Sequence, residues 1–456
     1  MWFLRNSTLG RVVSRGLALL IAVLLSGALF RIGALLQAAE TTPQPPNILL
    51  ILADDFGLDG VSCYGSDRFK GKTPSLDKLA ETGLRFTQCY SMPLCGPSRC
   101  TITTGRYGFR TGGSTNQSAG QPSFRDEPSV ARSLKQAGYV TGMAGKWRQM
   151  GATPGDWGYD EWLTDPTAGG WYWQKTYTKN AQEVTNPNEV YCPDVCFDFA
   201  ADFFKRHASG QPFFFYYPTH LIHGPILRTP DSKGGNFYED NVAYLDKQVG
   251  RLVGELEKLG LLEKTVVLFT GDNGTARFGA DQSVINGRKI NGQKGTMLEG
   301  GARVPFMVSW KGTAPAGKVV NDLVDFSDFF ATFAELGGAK MPEGVVFDSH
   351  SFAPQVRGEK GSPREWIFVQ LGSNWYVREQ GFKLTQSGEL LDMSDAPFVE
   401  KLVAAGSEND AAKAAKGRLQ AVLDQLNPAK GKVPAPGPKK KGPGGKKGRK
   451  KFRGSV

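Results

Sequence analysis

Histidine is scarce in this chain, with four residues in 456, and cysteine is little commoner, with six. Cys63, Cys89, Cys95, Cys100, Cys192 and Cys196 are too few and too scattered for a dense disulfide framework. A metal clip around Cys192-Pro-Asp-Val-Cys196 would need further thiol or imidazole ligands nearby, and none is close in sequence. That segment reads more simply as a local bridge, and Cys63, Cys89 and Cys100, in apolar surroundings, read as core. No internal repeat is present, which sets repeat architectures aside. The apolar run Leu17–Phe30 is shorter than a bilayer-spanning helix needs. It follows Arg5, Arg11 and Arg15, stops at Arg31, and precedes the small residues Gln37-Ala38-Ala39. Residues 1–39 therefore read as a signal peptide, with an uncleaved N-terminal membrane anchor as the alternative. The expected location is periplasmic or extracellular.

Acidic residues are missing from both ends. Lys430 to Arg453 carries eleven Lys or Arg and no acid, equal to the net charge of +11 for the whole chain. Residues 1–429 are thus neutral overall, and the four arginines before Glu40 leave the body mildly acidic. From Pro428 onward Pro, Gly and Lys dominate, so residues 428–456 are expected to form a disordered basic tail. Such a tail is attracted to polyanions, and no specific nucleic-acid partner is expected.

What is present is an alternation of buried-strand and amphipathic-helix patterns. Asn47-Ile-Leu-Leu-Ile-Leu-Ala53 is a continuous apolar run of the kind that is buried on both faces. Thr73-Pro74 opens a helix that Gly83 stops, and further buried strands are expected at 139–143, 212–217, 265–270 and 304–310. Tyr238, Val242, Leu245, Val249, Leu252, Leu256 and Leu259 repeat at helical spacing, and 322–336 also reads as helix. This order predicts an α/β fold, a large mostly parallel sheet sandwiched by helices over residues 45–338. Short strands at 366–369 and 375–378 and a helix near 410–426 predict a smaller C-terminal α+β domain over 339–427.

Ligands of such sheets gather beyond the carboxyl ends of the strands. Two predicted strands run into oxygen-rich pairs, Asp54-Asp55 and Asp272-Asn273. Together they form a hard, all-oxygen donor set suited to Ca²⁺ or Mg²⁺ and not to zinc. Arg99, Lys146 and Lys294 are candidates to hold an anion. His220 and His223 follow the Phe-rich strand. Either could donate a proton to a leaving oxygen, or simply bond to backbone. Trp157, Trp162, Trp171, Tyr172 and Trp173 form an aromatic segment that suits either a sugar-stacking surface or core.

The most specific signal is Cys95-Gly-Pro-Ser-Arg99, continued by Cys100-Thr-Ile-Thr-Thr-Gly-Arg106. Pro97 and Ser98 suit a first helical turn, which places Cys95 at a helix N-terminus that favours anions. With Gly145-Lys146-Trp147, His223-Gly-Pro, Phe269-Thr-Gly-Asp-Asn-Gly274 and Lys294 through Arg303-Val-Pro305, the chain resembles a type I, arylsulfatase-like sulfatase of the alkaline phosphatase superfamily. The resemblance runs from Asn47 to about residue 395. It implies that Cys95 is oxidised by a formylglycine-generating enzyme to formylglycine, the nucleophile that cleaves sulfate esters. It implies that formylglycine 95, Asp54, Asp55, Asp272 and Asn273 bind one calcium ion, with magnesium as the alternative. It further implies that Arg99 steadies this cluster, Lys146 and Lys294 hold sulfate oxygens, and His223 protonates the departing alcohol.

One departure stands out. Members of this family often carry histidine where this chain has Arg148, and arginine is never a neutral base at ordinary pH. A carboxylate such as Asp272 is the expected base, with Arg148 and His220 as substrate-binding groups. The expected substrate is an exported sulfated carbohydrate, a polysaccharide or a small molecule such as an aryl sulfate. The alternatives are a phosphodiester or phosphonate monoester hydrolase, and a sulfated-glycan binder without turnover.

Overall fold

The computed structural model describes residues 44–147, 150–165 and 172–432. The described residues from Pro46 to Lys432 form one compact unit built on a ten-stranded sheet. Across the sheet the strands run Lys318–Asp325, Leu84–Tyr90, Arg303–Ser309, Thr265–Gly271, Asn47–Ala53, Phe213–Pro218, Val140–Gly145, Glu161–Thr164, Trp173–Lys179 and Gln182–Tyr191. The central strands are parallel: Ala53 pairs with Gly271, Leu52 with Pro218, and Met143 with Tyr216.

Asn47–Ala53 is wholly buried because each face of the sheet has its own core. Leu49, Ile51 and Ala53 join a cluster with residues of helices Pro74–Thr82, Cys192–Arg206 and Phe237–Lys258. Ile48, Leu50 and Leu52 point the other way, with residues of helices Cys95–Thr104, Val130–Gln136 and Asp328–Gly337. Two-residue periodicity along one apolar strand thus serves two helical layers.

A five-stranded antiparallel sheet (Ile367–Leu371, Asn374–Arg378, Phe382–Thr385, Leu390–Asp392, Lys401–Leu402) and helix Asp410–Leu426 complete the fold. Their apolar residues share a core with Tyr90, Met92, Tyr107 and Phe109 of the larger part. Arg378 reaches across to Glu299 at 2.7 Å, both buried.

Several sequence expectations need correction. The stretch 322–336, expected to be one helix, ends a strand at Asp325 and begins a helix only at Asp328. Strands Leu84–Tyr90, Glu161–Thr164, Trp173–Lys179 and Gln182–Tyr191 lacked a continuous apolar run, and Gln182–Tyr191 lies at a sheet edge, exposed over most of its length. Cys63 is only partly buried, and the Cys192 and Cys196 sulfurs are thiols 3.9 Å apart rather than a bridge. Pro428–Lys430 forms a 3₁₀ turn with Pro428 buried, and Lys432 N–H bonds to Phe109 O, so ordered chain runs past Pro428 to Lys432. The signal-peptide reading of 1–39 and the rest of the tail lie outside the described residues, as does Arg148.

Candidate functional site

Leu84–Tyr90, Thr265–Gly271, Asn47–Ala53, Phe213–Pro218 and Val140–Gly145 all end on the same edge of the sheet, and each delivers part of one cluster. Asp54 and Asp55 follow Asn47–Ala53, and Asp272 and Asn273 follow its neighbour Thr265–Gly271. Lys146 follows Gly145, and His223 comes from the loop after Pro218. Lys294 arrives in the segment before Arg303–Ser309, an antiparallel strand that starts on this edge.

Local chain geometry makes the convergence fit. Gly145 has φ of 136°, and a Cβ there would lie 2.1 Å from Pro218 O. Only glycine lets Lys146 N–H bond to that carbonyl. Asp55 sits at φ of 59°, a strained conformation that aspartate tolerates better than most and that recurs at functional sites.

Cys95 opens the helix Cys95–Thr104, as its motif predicts, and is fully buried. Its Sγ lies 3.2 Å from Asp54 Oδ1 and 3.6 Å from Asp55 Oδ1. One turn later Arg99 donates to Asp272 Oδ2 from Nε at 3.1 Å and from Nη2 at 2.8 Å. Asp55 N–H donates to Asp272 Oδ1 at 3.0 Å, so both oxygens of Asp272 are engaged. Asn273 Nδ2 donates to Asp55 Oδ1 at 2.9 Å. Lys146, fully buried, pairs with Asp54, and Lys294 pairs with Asp55. His223 Nδ1 bonds to Gly224 O, which turns Nε2 inward to 3.9 Å from Asp55 Oδ2. His223 and Lys294, 21% and 18% exposed, mark the mouth of the site.

Electrostatics distinguish these groups. Burial would raise Asp54, but Lys146, His223 and Arg99 hold it well below the usual carboxylate range. Burial, then the charge of Asp54, push Asp272 up to about 7. Burial and the neighbouring Asp272 and Asp54 raise the Cys95 thiol well above its ordinary value. As cysteine, residue 95 therefore carries no thiolate at neutral pH, the form a thiol needs to act as a nucleophile.

The donor set fits a divalent metal. Ligand atoms of Asp54, Asp55, Cys95 and His223 lie within 4.8 Å of one another. Asn273 Oδ1 is buried with no hydrogen-bond donor among the described residues. An orphaned amide oxygen inside a carboxylate cluster is the acceptor that a hard cation would satisfy.

Two expectations change. His220 is 1% exposed, its Nε2 3.2 Å from Asp165 and its Nδ1 4.0 Å from the Cys192 sulfur. Burial and those contacts give it a structural position in the chain's interior, where the sequence reading expected a substrate-binding group. Trp157, Trp162 and Tyr172 are buried, so that aromatic segment is mainly core, while Trp171 lies outside the described residues. Tyr172 donates its hydroxyl to the carbonyls of His220 and His223, bracing the loop. Asn116, which accepts from Gly96 N–H at 2.8 Å, braces the start of the Cys95 helix. It stands in a polar loop with no motif around it to mark it.

Comparison with known proteins agrees with this geometry. The family profile described as Sulfatase matches residues 46–339. The chain is 32% identical over 368 residues to N-acetylgalactosamine-6-sulfatase of Canis lupus familiaris, covering 73% of this chain and 70% of that one. It is 33% identical over 379 residues to arylsulfatase A of Homo sapiens, covering 73% and 72%. Its structure is similar to that of Ps i-CgsB, solved in complex with k-i-k-neocarrahexaose, with a TM-score of 0.70, 26% identity and 84% and 92% coverage. A buried carboxylate–lysine cluster around Cys95, on this fold and with these relatives, places the chain in the sulfatase family: it is a sulfuric ester hydrolase.

Proposed function

We propose that this protein removes sulfate from a sulfated carbohydrate outside the cytoplasm, using formylglycine made from Cys95 and one bound calcium ion. The observation that carries this reading is the position of Cys95, buried at a helix start with its side-chain tip against Asp54 and Asp55. A neutral thiol there is a poor nucleophile, whereas an aldehyde hydrates to a diol. One hydroxyl attacks sulfur, and the other expels sulfate as the aldehyde re-forms.

Asp54, Asp55, Asp272, Asn273 and residue 95 would hold the metal, which polarises a sulfate oxygen when bound. Lys146 and Lys294 supply positive charge on either side of the carboxylates. In the complex they are available to sulfate oxygens once a cation takes over their carboxylate partners. His223 Nε2, at the mouth, is placed to give a proton to the departing alcohol oxygen when the imidazole is charged, since Nδ1–H is already committed to Gly224 O. For release, the carboxylates touching residue 95 are Asp54 and Asp55, whereas Asp272 is held by Arg99 and by Asp55 N–H. Contact with residue 95 favours Asp54 or Asp55 and proton affinity favours Asp272, which burial raises, so the base is a carboxylate of this cluster, with Arg148 as an additional anion ligand. The N-acetylgalactosamine-6-sulfatase relatives and the neocarrahexaose-bound neighbour support a carbohydrate substrate. The leader-like residues 1–39 support export.

The test is peptide mass spectrometry across Cys95, on protein expressed with a formylglycine-generating enzyme, alongside sulfate release from sulfated sugars. The expected result is aldehyde at position 95 and activity proportional to its yield. Full turnover by protein with only unmodified Cys95 would overturn the mechanism. Faster cleavage of aryl phosphodiesters than of any sulfate ester would overturn the substrate class.

A further inference from the structure

Phe278 is the most exposed aromatic side chain among the described residues, at 48%. It is nevertheless held in place. Its ring meets the buried Tyr238 ring edge-on, with centroids 5.8 Å apart and planes at 72°. It also stands so close to Gly224 that a Cβ added there would lie 3.1 Å from Phe278 Cε1. Gly224 directly follows His223 and accepts the hydrogen bond that orients its ring. On the other side, Phe278 lies on the short helix Arg277–Ala280, which closely follows the Asp272-Asn273 turn. A fixed, solvent-facing ring thus stands against the residue that follows the proton donor His223, on a helix a few residues along the chain from the metal-site turn.

Resting on the sulfatase reading above, we propose that Phe278 is a specificity-determining residue, the platform for the sugar ring that carries the sulfate. Apolar ring surface left in water at a site mouth gains by being covered, and a pyranose ring offers an apolar C–H face with polar edges. His223, which meets the ester oxygen, supplies a polar partner at that edge of the ring, the usual mixed composition of a small-molecule site. The buried sulfate position itself does not depend on Phe278.

The test compares wild type, Phe278→Ala and Phe278→Trp, each carrying formylglycine, with N-acetylgalactosamine 6-sulfate as the probe. Inhibition by inorganic sulfate reads the anion position alone. Phe278→Ala should raise KM by about tenfold with kcat little changed and the sulfate inhibition constant unmoved, and Phe278→Trp should stay near wild type. Unchanged KM in Phe278→Ala would overturn the proposal, and so would KM and the sulfate constant rising together. Equilibrium binding of the same sugar separates this from the hydrolase reading. A wild type without turnover would remove that reading, while weaker binding by Phe278→Ala would still support the platform and equal binding would overturn it.

Discussion

Arg99 grips Asp272 with two nitrogens, Nε at 3.1 Å and Nη2 at 2.8 Å, in a pair that is almost wholly sealed from water. The guanidinium also stands 4.0 Å from Asp54 and donates to Lys146 O at 3.3 Å. One side chain thereby fixes the ends of three strands to the helix that carries Cys95. Arg99→Ala would leave a buried carboxylate unpaired, at a cost of about 3–5 kcal/mol. Arg99→Lys would keep the charge and lose the fork. Denaturant melts should show the larger loss in Arg99→Ala, and kinetics should show kcat/KM down by roughly a hundredfold or more even in Arg99→Lys. Wild-type rates in Arg99→Lys would show that the forked contact is dispensable.

Calcium should bind stoichiometrically and tightly. Asp272→Ala should lower the metal content measured by elemental analysis, together with activity, and Ca²⁺ should restore chelated wild type better than Zn²⁺. Full metal content in Asp272→Ala would remove this residue from the ligand set.

His220 predicts a pH dependence of stability. Burial alone would lower its pKa, but Asp165 and Cys192 outweigh it and bring the group up to about 9, above the ordinary 6.5. A group raised on folding contributes stability that is complete below its unfolded value and is lost as pH rises through its folded value. His220→Gln should therefore cost about 3 kcal/mol near pH 6, with the gap to wild type closing between pH 6.5 and 9. Thermal melts across that range read the gap directly. A gap independent of pH would mean that His220 acts through packing alone.

Truncation after Lys432 removes nine of the eleven C-terminal cations and keeps the turn packed against Phe109. Hydrolysis of a small aryl sulfate should be unchanged. Retention on a sulfated polysaccharide matrix should fall, most clearly at low ionic strength where screening is weakest. Loss of small-substrate activity would show that the tail contributes to the catalytic body.

Strand Asn47–Ala53, helix Pro74–Thr82 and helix Phe237–Lys258 were legible in the sequence because their signals are local: an unbroken apolar run, an N-cap with proline, and a three-to-four-residue apolar repeat. Asp54, Asp55, Asp272, Asn273, Cys95, Lys146, Lys294 and His223 were legible because each directly follows such an element or belongs to a compact motif. Position 148 was legible only as a departure, since one arginine in place of histidine says nothing of its contacts.

The tertiary structure decided what no local pattern encodes. Asp165 and Asn116 matter through partners 55 and 20 residues away, His220 and Gly96. The aromatic residues between 157 and 172 have the composition of a binding surface, yet burial makes Trp157, Trp162 and Tyr172 core. Phe278 stands on a single helical turn with no motif around it, and only its approach to Gly224 puts it beside His223. Periodicity and caps specify elements because they act within a few residues along the chain. Which side chain faces water, metal or another carboxylate depends on how distant segments pack, and that belongs to the folded sheet as a whole.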